Sequence, residues 1–111
     1  MDNYEITVQI SVFEQIRNIE NYISNVLLSS DSAEKRKERI LSEIKQLSLF
    51  PERGFDADEK IGTKIVHGYK TIGIPIVDGK YLVLYHIDNE NKIVNVIDLL
   101  ATQSDYAKLF L

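Results

Sequence analysis

The chain opens on an alternating run. In residues 4–10, Tyr4, Ile6, Val8 and Ile10 point one way and Glu5, Thr7 and Gln9 the other. Period-two alternation with β-branched residues is the mark of a half-buried strand. Ser11 and Glu14 then form a Ser-x-x-Glu capping box, which predicts a helix from Ser11. Val12, Ile16, Ile19, Ile23 and Val26 follow at steps of three and four and give that helix one apolar face. After Leu27-Leu28-Ser29-Ser30, Asp31 and Glu34 repeat the capping logic and open a second helix with the stripe Ala33, Ile40, Leu41, Ile44 and Leu47. Pro51 stops it, because proline has no amide to give to a helix interior. Two helices on so short a connection must lie antiparallel, as a hairpin.

The second half changes period. Residues 52–62 are polar, carry Gly54, Asp56, Asp58 and Glu59, and read as a loop. Residues 63–66 form a short candidate strand, and residues 69–77 a second, interrupted by Gly73 and Pro75. Proline within a strand points to a sheet edge or a bulge, so the stretch 73–77 is the expected open edge. Asp78-Gly79 is a two-residue hairpin signal. A strand over 81–88, a turn at Asn89-Glu90-Asn91, a last strand over 93–99 and a short helix over 104–110 complete the order. The fold class is therefore α+β: β-α-α-β-β-β-β, a helical hairpin packed on a mainly antiparallel sheet, with a short C-terminal helix.

Composition narrows what such a domain can do. With 111 residues there is room for one domain and one core. No cysteine is present, which removes disulfides, thiolate metal sites and cysteine nucleophiles together and suits a reducing compartment. No apolar run approaches the roughly 20 residues of a membrane helix, and no signal peptide is legible at Met1-Asp2-Asn3-Tyr4. The expected setting is the cytoplasm. The net charge is −4, every arginine lies at or before Arg53, and the later cations are Lys60, Lys64, Lys70, Lys80, Lys92 and Lys108. A domain that holds nucleic acid through its phosphates normally carries a basic excess, so broad electrostatic capture of RNA or DNA is not supported.

Several local features, in this order, resemble the RelE/ParE superfamily of bacterial toxins. The hairpin ends in Leu-Ser-Leu-Phe-Pro-Glu-Arg-Gly at residues 47–54, similar to the family's leucine, phenylalanine-proline, glycine stretch. Tyr69-Lys70 stands where relatives often carry tyrosine-arginine. The run Tyr-Leu-Val-Leu-Tyr-His-Ile-Asp at 81–88 resembles the tyrosine-rich core strand, and Asp105-Tyr106 the tail. The likeness covers nearly the whole chain, which it makes a single toxin domain, residues 1–111. It implies the toxin of a type II toxin–antitoxin module, neutralised by a cognate antitoxin protein and needing no cofactor. Departures accompany it. Leu82 stands where relatives often have arginine, and Ala101, Gln103 and Ser104 where they often have a histidine and paired arginines.

Cleavage of RNA through a 2′-hydroxyl needs a base, an acid and a cation near the developing charge. The candidates here are Lys64, His67, Lys70, Tyr85 and His86, the two histidines being the groups that titrate near neutrality. The plainer reading makes His67, next to Gly68, a surface loop residue. On alternation His86 shares a face with Leu82 and Leu84, opposite Tyr81, Val83 and Tyr85, and reads equally as a satisfied polar group. Arg53, beside Gly54, can reach an anion or pair with Glu52. The basic run Lys35-Arg36-Lys37-Glu38-Arg39 reads as a solvated helix face with i,i+4 pairing, and Asp56-Ala57-Asp58-Glu59 as a loop rather than a metal cluster. Three functions follow: a RelE-like nuclease acting on messenger RNA at the ribosome, a ParE-like inhibitor of DNA gyrase, and a degenerate relative kept for binding or regulation.

Overall fold

The computed structural model describes residues 3–102. Strand β1 (Glu5–Val8) leads into helix α1 (Ile10–Asn21), which ends in a π-helical turn, Tyr22–Val26. Helix α2 (Ser30–Lys45) returns antiparallel to α1 and closes with a 3₁₀ turn, Gln46–Ser48. The remaining elements are β2 (Phe55–Asp56), α3 (Ala57–Ile61), β3 (Thr71–Ile76), β4 (Tyr81–Asp88) and β5 (Ile93–Ala101). They build one five-stranded sheet in the order β1-β5-β4-β3-β2. The last four strands pair antiparallel and β1 lies parallel to β5, so the sheet is mainly antiparallel.

The main core fills the space between the hairpin and one sheet face. Val12, Ile16, Ile40, Ile44 and Leu47 descend from the helices onto Ile72, Ile74, Ile76, Tyr81, Val83, Tyr85, Val94, Val96 and Leu99. Strict alternation on β5 would aim residues 94, 96 and 98 inward. A register shift prevents this: Tyr85 faces Val96 but Leu84 faces Asp98, so Ile97 is the extra residue. The bulge reverses the parity and brings Leu99 into the core while Asp98 stays out. On the opposite face Leu82 and Leu84 pack with Ala57, Phe55, Ile65, Ile97 and Leu100 in a smaller cluster under α3.

Three local expectations are corrected. Helix α1 begins at Ile10 rather than Ser11, with extended Gln9 as its cap residue, and the Ser11–Glu14 box is not used. The reason is tertiary: the Gln9 amide donates to the Val96 carbonyl, so β1 stays tied to the sheet through residue 9 and the helix must start at once. Helix α2 is capped by Ser29, whose Oγ accepts from the Ser32 amide, two residues ahead of the expected Asp31. No strand forms over residues 63–66, where only an isolated bridge joins Val66 to Tyr69. Its place in the sheet is taken by β2, within the segment that reads as loop. Residues 81–88 and the Asp78-Gly79 turn form as expected, with positive φ at Val77, Asp78 and Gly79. The expected helix over 104–110 lies outside the described residues.

Candidate functional site

The segment between β2 and β3 is organised by one carboxylate. Asp58, in the first turn of α3, accepts the backbone amides of Ile65 (2.9 Å) and Thr71 (2.9 Å) and lies 3.9 Å from Lys64 Nζ. Lys64 Nζ also donates to the Tyr69 carbonyl at 3.2 Å. These contacts fold residues 62–70 back over the sheet. They seat the Tyr69 ring on His86, with centroids 4.3 Å apart and planes at 21°. Four cross-strand partners then form a polar row on this face: Thr7, Asn95, His86 and Thr71, one from each of β1, β5, β4 and β3.

Hydrogen bonding sets the state of His86. Thr7 Oγ1 donates to Asn95 Oδ1 at 2.6 Å, which turns the Asn95 amide nitrogen toward His86 Nδ1 at 3.4 Å. That contact places Nδ1 as an acceptor, which a protonated ring cannot offer. Burial lowers the His86 pKa below its usual 6.5, against a smaller upward pull from Asp88. The sign for stability follows: the unfolded chain binds the proton more readily, so the stabilising contribution is present above pH 6.5 and is lost as pH falls from there through the lowered folded value. His86→Gln should flatten the loss of stability as pH falls below 6.5, a change readable in urea unfolding midpoints. An unchanged slope would mean that the ring is not held neutral.

The five catalytic candidates and the anion candidate occupy different places. Tyr85 and His86 are successive residues of one strand, so they point to opposite sheet faces. The Tyr85 side chain is fully buried among the helices and its hydroxyl donates to the Pro51 carbonyl at 2.6 Å. Desolvation pushes its pKa up to about 12, although a backbone hydrogen bond from Gly54 works the other way. Lys70 lies 3.6 Å from Asp56 Oδ2, and His67 is exposed at the turn before Gly68 (φ 88°). Lys64 and His86 are both engaged by Tyr69, one through its carbonyl and one through its ring. Arg53 is exposed on a groove of about 460 Å³ with Tyr4, Phe50, Pro51 and Glu52, and donates to Gln46 Oε1 at 3.3 Å. Among the described residues no group of three or more His, Asp or Glu side chains could hold a metal ion. No helix among them is long and apolar enough to cross a membrane.

Two further features carry no local signal in the sequence. The basic run on α2 pairs mostly across the fold: Arg39 grips Asp78 through both terminal nitrogens (3.1 and 3.0 Å) besides Glu43, and Arg36 donates to the Tyr81 hydroxyl at 2.8 Å. Asp78 is held below the usual carboxylate range by that Arg39 hydrogen bond. The second is the tip of the helical hairpin. Tyr22, Val26, Leu27 and Leu28 are all exposed there, Leu28 at 84% and with φ of 56°. Val26 has the spacing of a core position but is exposed in the fold.

A family profile, the ParE toxin of the type II toxin–antitoxin system parDE, matches residues 11–106. The chain belongs to the ParE toxin family. Among solved structures it is similar to the chromosomal ParDE toxin–antitoxin system of P. aeruginosa, with a TM-score of 0.65 at 13% identity over 88% of this chain and 95% of that one. The archaeal RelE–RelB complex of Pyrococcus horikoshii OT3 gives 0.56 at 13% identity, covering 92% and 98%. The free E. coli toxin RelE, as a mutant, gives 0.53 at 15% identity, covering 98% and 99%. No curated protein matches in sequence. The likenesses at this identity establish the shared RelE/ParE fold, and the family match makes the chain a type II toxin by descent. The family's frequent arginine position carries Leu82, whose side chain is buried in the cluster under α3 rather than offered to a ligand.

Proposed function

We propose that this ParE-family chain arrests growth by binding DNA gyrase, and that a cognate antitoxin neutralises it. The observation that carries this reading is the separation of Tyr85 from His86 on opposite sheet faces. General acid–base cleavage needs its groups within hydrogen-bond reach of one phosphodiester. Here the tyrosine is sealed under the hairpin, Lys70 is held by Asp56, and the one half-buried histidine is capped by Tyr69. A binding toxin needs none of these groups. It needs an exposed surface that loses little on desolvation, and the apolar tip Tyr22, Val26, Leu27 and Leu28 is such a surface. The acidic balance of the chain agrees, since a protein target does not require phosphate contacts.

Purified chain added to gyrase and relaxed plasmid should inhibit supercoiling, and the double variant Leu27→Ser/Leu28→Ser should lose that inhibition while keeping its unfolding midpoint. The same protein should leave ribosome-bound messenger RNA intact. Message cleavage with gyrase unaffected would select the RelE-like reading, in which Lys64, His67, Lys70 and His86 act on RNA with Arg53 on a phosphate. No growth effect at full soluble expression would select a degenerate relative retained for binding or regulation.

A further inference from the structure

Among the described residues, four other than glycine have positive φ: Leu28 (56°), Val77 (53°), Asp78 (55°) and Lys92 (58°). Left-handed backbone crowds Cβ against a carbonyl oxygen, so it persists only where the surrounding structure holds it. For three of the four, the holding contacts are plain. Val77 is buried in the main core and its amide donates to a Glu43 carboxylate oxygen at 3.1 Å. Asp78 is gripped by Arg39 through both of its oxygens. Lys92 sets its ammonium 5.1 Å from the centre of the Tyr4 ring, and its carbonyl accepts the Glu5 amide. Leu28 is different. At 84% its side chain is the most exposed of the large hydrophobics described, and it belongs to neither core cluster.

The backbone accounts for the conformation of Leu28 but not for its side chain. The π-helical turn ends on Leu27, and the Ser29 amide returns to the Ile23 carbonyl at 3.3 Å. Ser29 is also the cap of α2, its Oγ accepting from the Ser32 amide. Leu28 thus lies between the end of one helix and the cap of the next, at a left-handed position that glycine or asparagine ordinarily fills. Either would sit here with less strain. A leucine adds strain and exposes apolar area together, and an outlier of that kind points to function rather than to folding.

The surroundings limit what can cover it. Residues 21–30 contain no charged side chain, in a chain that is 27% charged. The first charges on either side are acidic, Asp31 and Glu20, the latter 3.8 Å from Lys37. A membrane surface is disfavoured, since anionic headgroups attract basic residues and none stands in that stretch. A second copy is disfavoured by size. Stable interfaces bury about 800 Å² per partner over about 20–30 residues, whereas the tip offers Tyr22, Val26, Leu27 and Leu28. A few apolar side chains at the closed end of a helical hairpin fit instead into a concavity of a larger protein.

We infer that Leu28 is the anchor by which the tip enters an uncharged apolar pocket on gyrase; this deepens the gyrase reading above and rests on it. Its backbone is fixed from both sides, which sets the direction of the Cα–Cβ bond and reduces the conformational freedom lost on insertion. Tyr22, Val26 and Leu27 close the rim against water.

At this position folding and binding pull in opposite directions, and the test uses that. Leu28→Gly should keep or raise the urea unfolding midpoint while weakening inhibition of gyrase supercoiling by about tenfold or more, as loss of an anchor does. Leu28→Asn also suits left-handed backbone and should do the same. Leu49→Asn, at a leucine 48% exposed past the far end of α2, should inhibit as the wild type does. Full inhibition by both Leu28 variants would overturn the anchor and leave the gyrase reading standing. A lowered midpoint in both would make the side chain structural and overturn it as well. Binding of the wild type to phosphatidylglycerol vesicles, or a dimer in sedimentation, lost in either case in Leu28→Gly, would assign the tip to a bilayer or a second copy instead. No inhibition by the wild-type chain would refute the gyrase reading, and the anchor with it.

Discussion

Tyr85→Ala is expected to cost about 3–5 kcal/mol, the range for emptying a large aromatic from a packed core. The ring is fully buried beneath the hairpin, and its hydroxyl bridges the sheet to the Pro51 carbonyl at the turn that follows α2. Tyr85→Phe keeps the ring and orphans that carbonyl, so it should cost about 1–3 kcal/mol. Both variants should lower the unfolding midpoint in that order, while Tyr85→Phe still arrests growth at a temperature where it is folded. A phenylalanine variant with wild-type stability and no toxicity would give the hydroxyl a role in chemistry instead.

The second large effect is expected at Gly54. A Cβ there would overlap the Gly73 carbonyl oxygen and come within 2.5 Å of Ile72 Cγ2. The obstruction is backbone of a paired strand, so β2 would have to pull off β3. Overpacking of this kind costs about 1–3 kcal/mol and occasionally more. Gly73→Ala meets instead the far end of a side chain, Phe55 Cζ at 2.6 Å, and the ring can swing aside. Gly54→Ala should therefore lower the urea midpoint more than Gly73→Ala. The reverse order would mean that the β2–β3 contact is loose.

The same residues show what could be seen from sequence. Residues 5–8, 81–88 and the Asp78-Gly79 turn are legible because their signals are local: alternation, and a dipeptide that tolerates positive φ; Ile10 continues the alternation but opens α1 instead. Alternation also places His86 with Leu82 and Leu84, opposite Tyr85, which is the arrangement the structure has. Residues 55–70 were not legible, because their path depends on Asp58 taking amides seven and thirteen residues away. Nor does anything in Asn95-Val96-Ile97-Asp98-Leu99 mark Ile97 as the bulged residue, since that choice is made by pairing with β4. The start of α1 follows the same logic: Ser11 offers a good local cap, and the Gln9–Val96 bond overrides it.

For the candidate site, residue types were visible and convergence was not. Lys64, His67, Lys70, Tyr85 and His86 fall within 23 positions of sequence, yet strand alternation sends Tyr85 to the face opposite His86, and Lys64 and His86 are joined only through Tyr69. In sequence Tyr69 stands only as half of a dipeptide, though its ring covers His86 in the fold. The edges of the sheet are not legible either. Sequence pointed to the proline-bearing strand as the edge, whereas part of that strand is covered by β2, a two-residue strand without a pattern of its own.

The most direct test of a toxin that binds rather than cuts is inducible expression of His67→Ala/His86→Ala beside the wild type in bacteria. Growth, message integrity and DNA breaks would be scored together at matched soluble levels. Equal arrest by both proteins, with DNA breaks, intact messages and relief by the co-expressed neighbouring protein, is the predicted result. Arrest by the wild type with cut messages, abolished in the double variant, would contradict it.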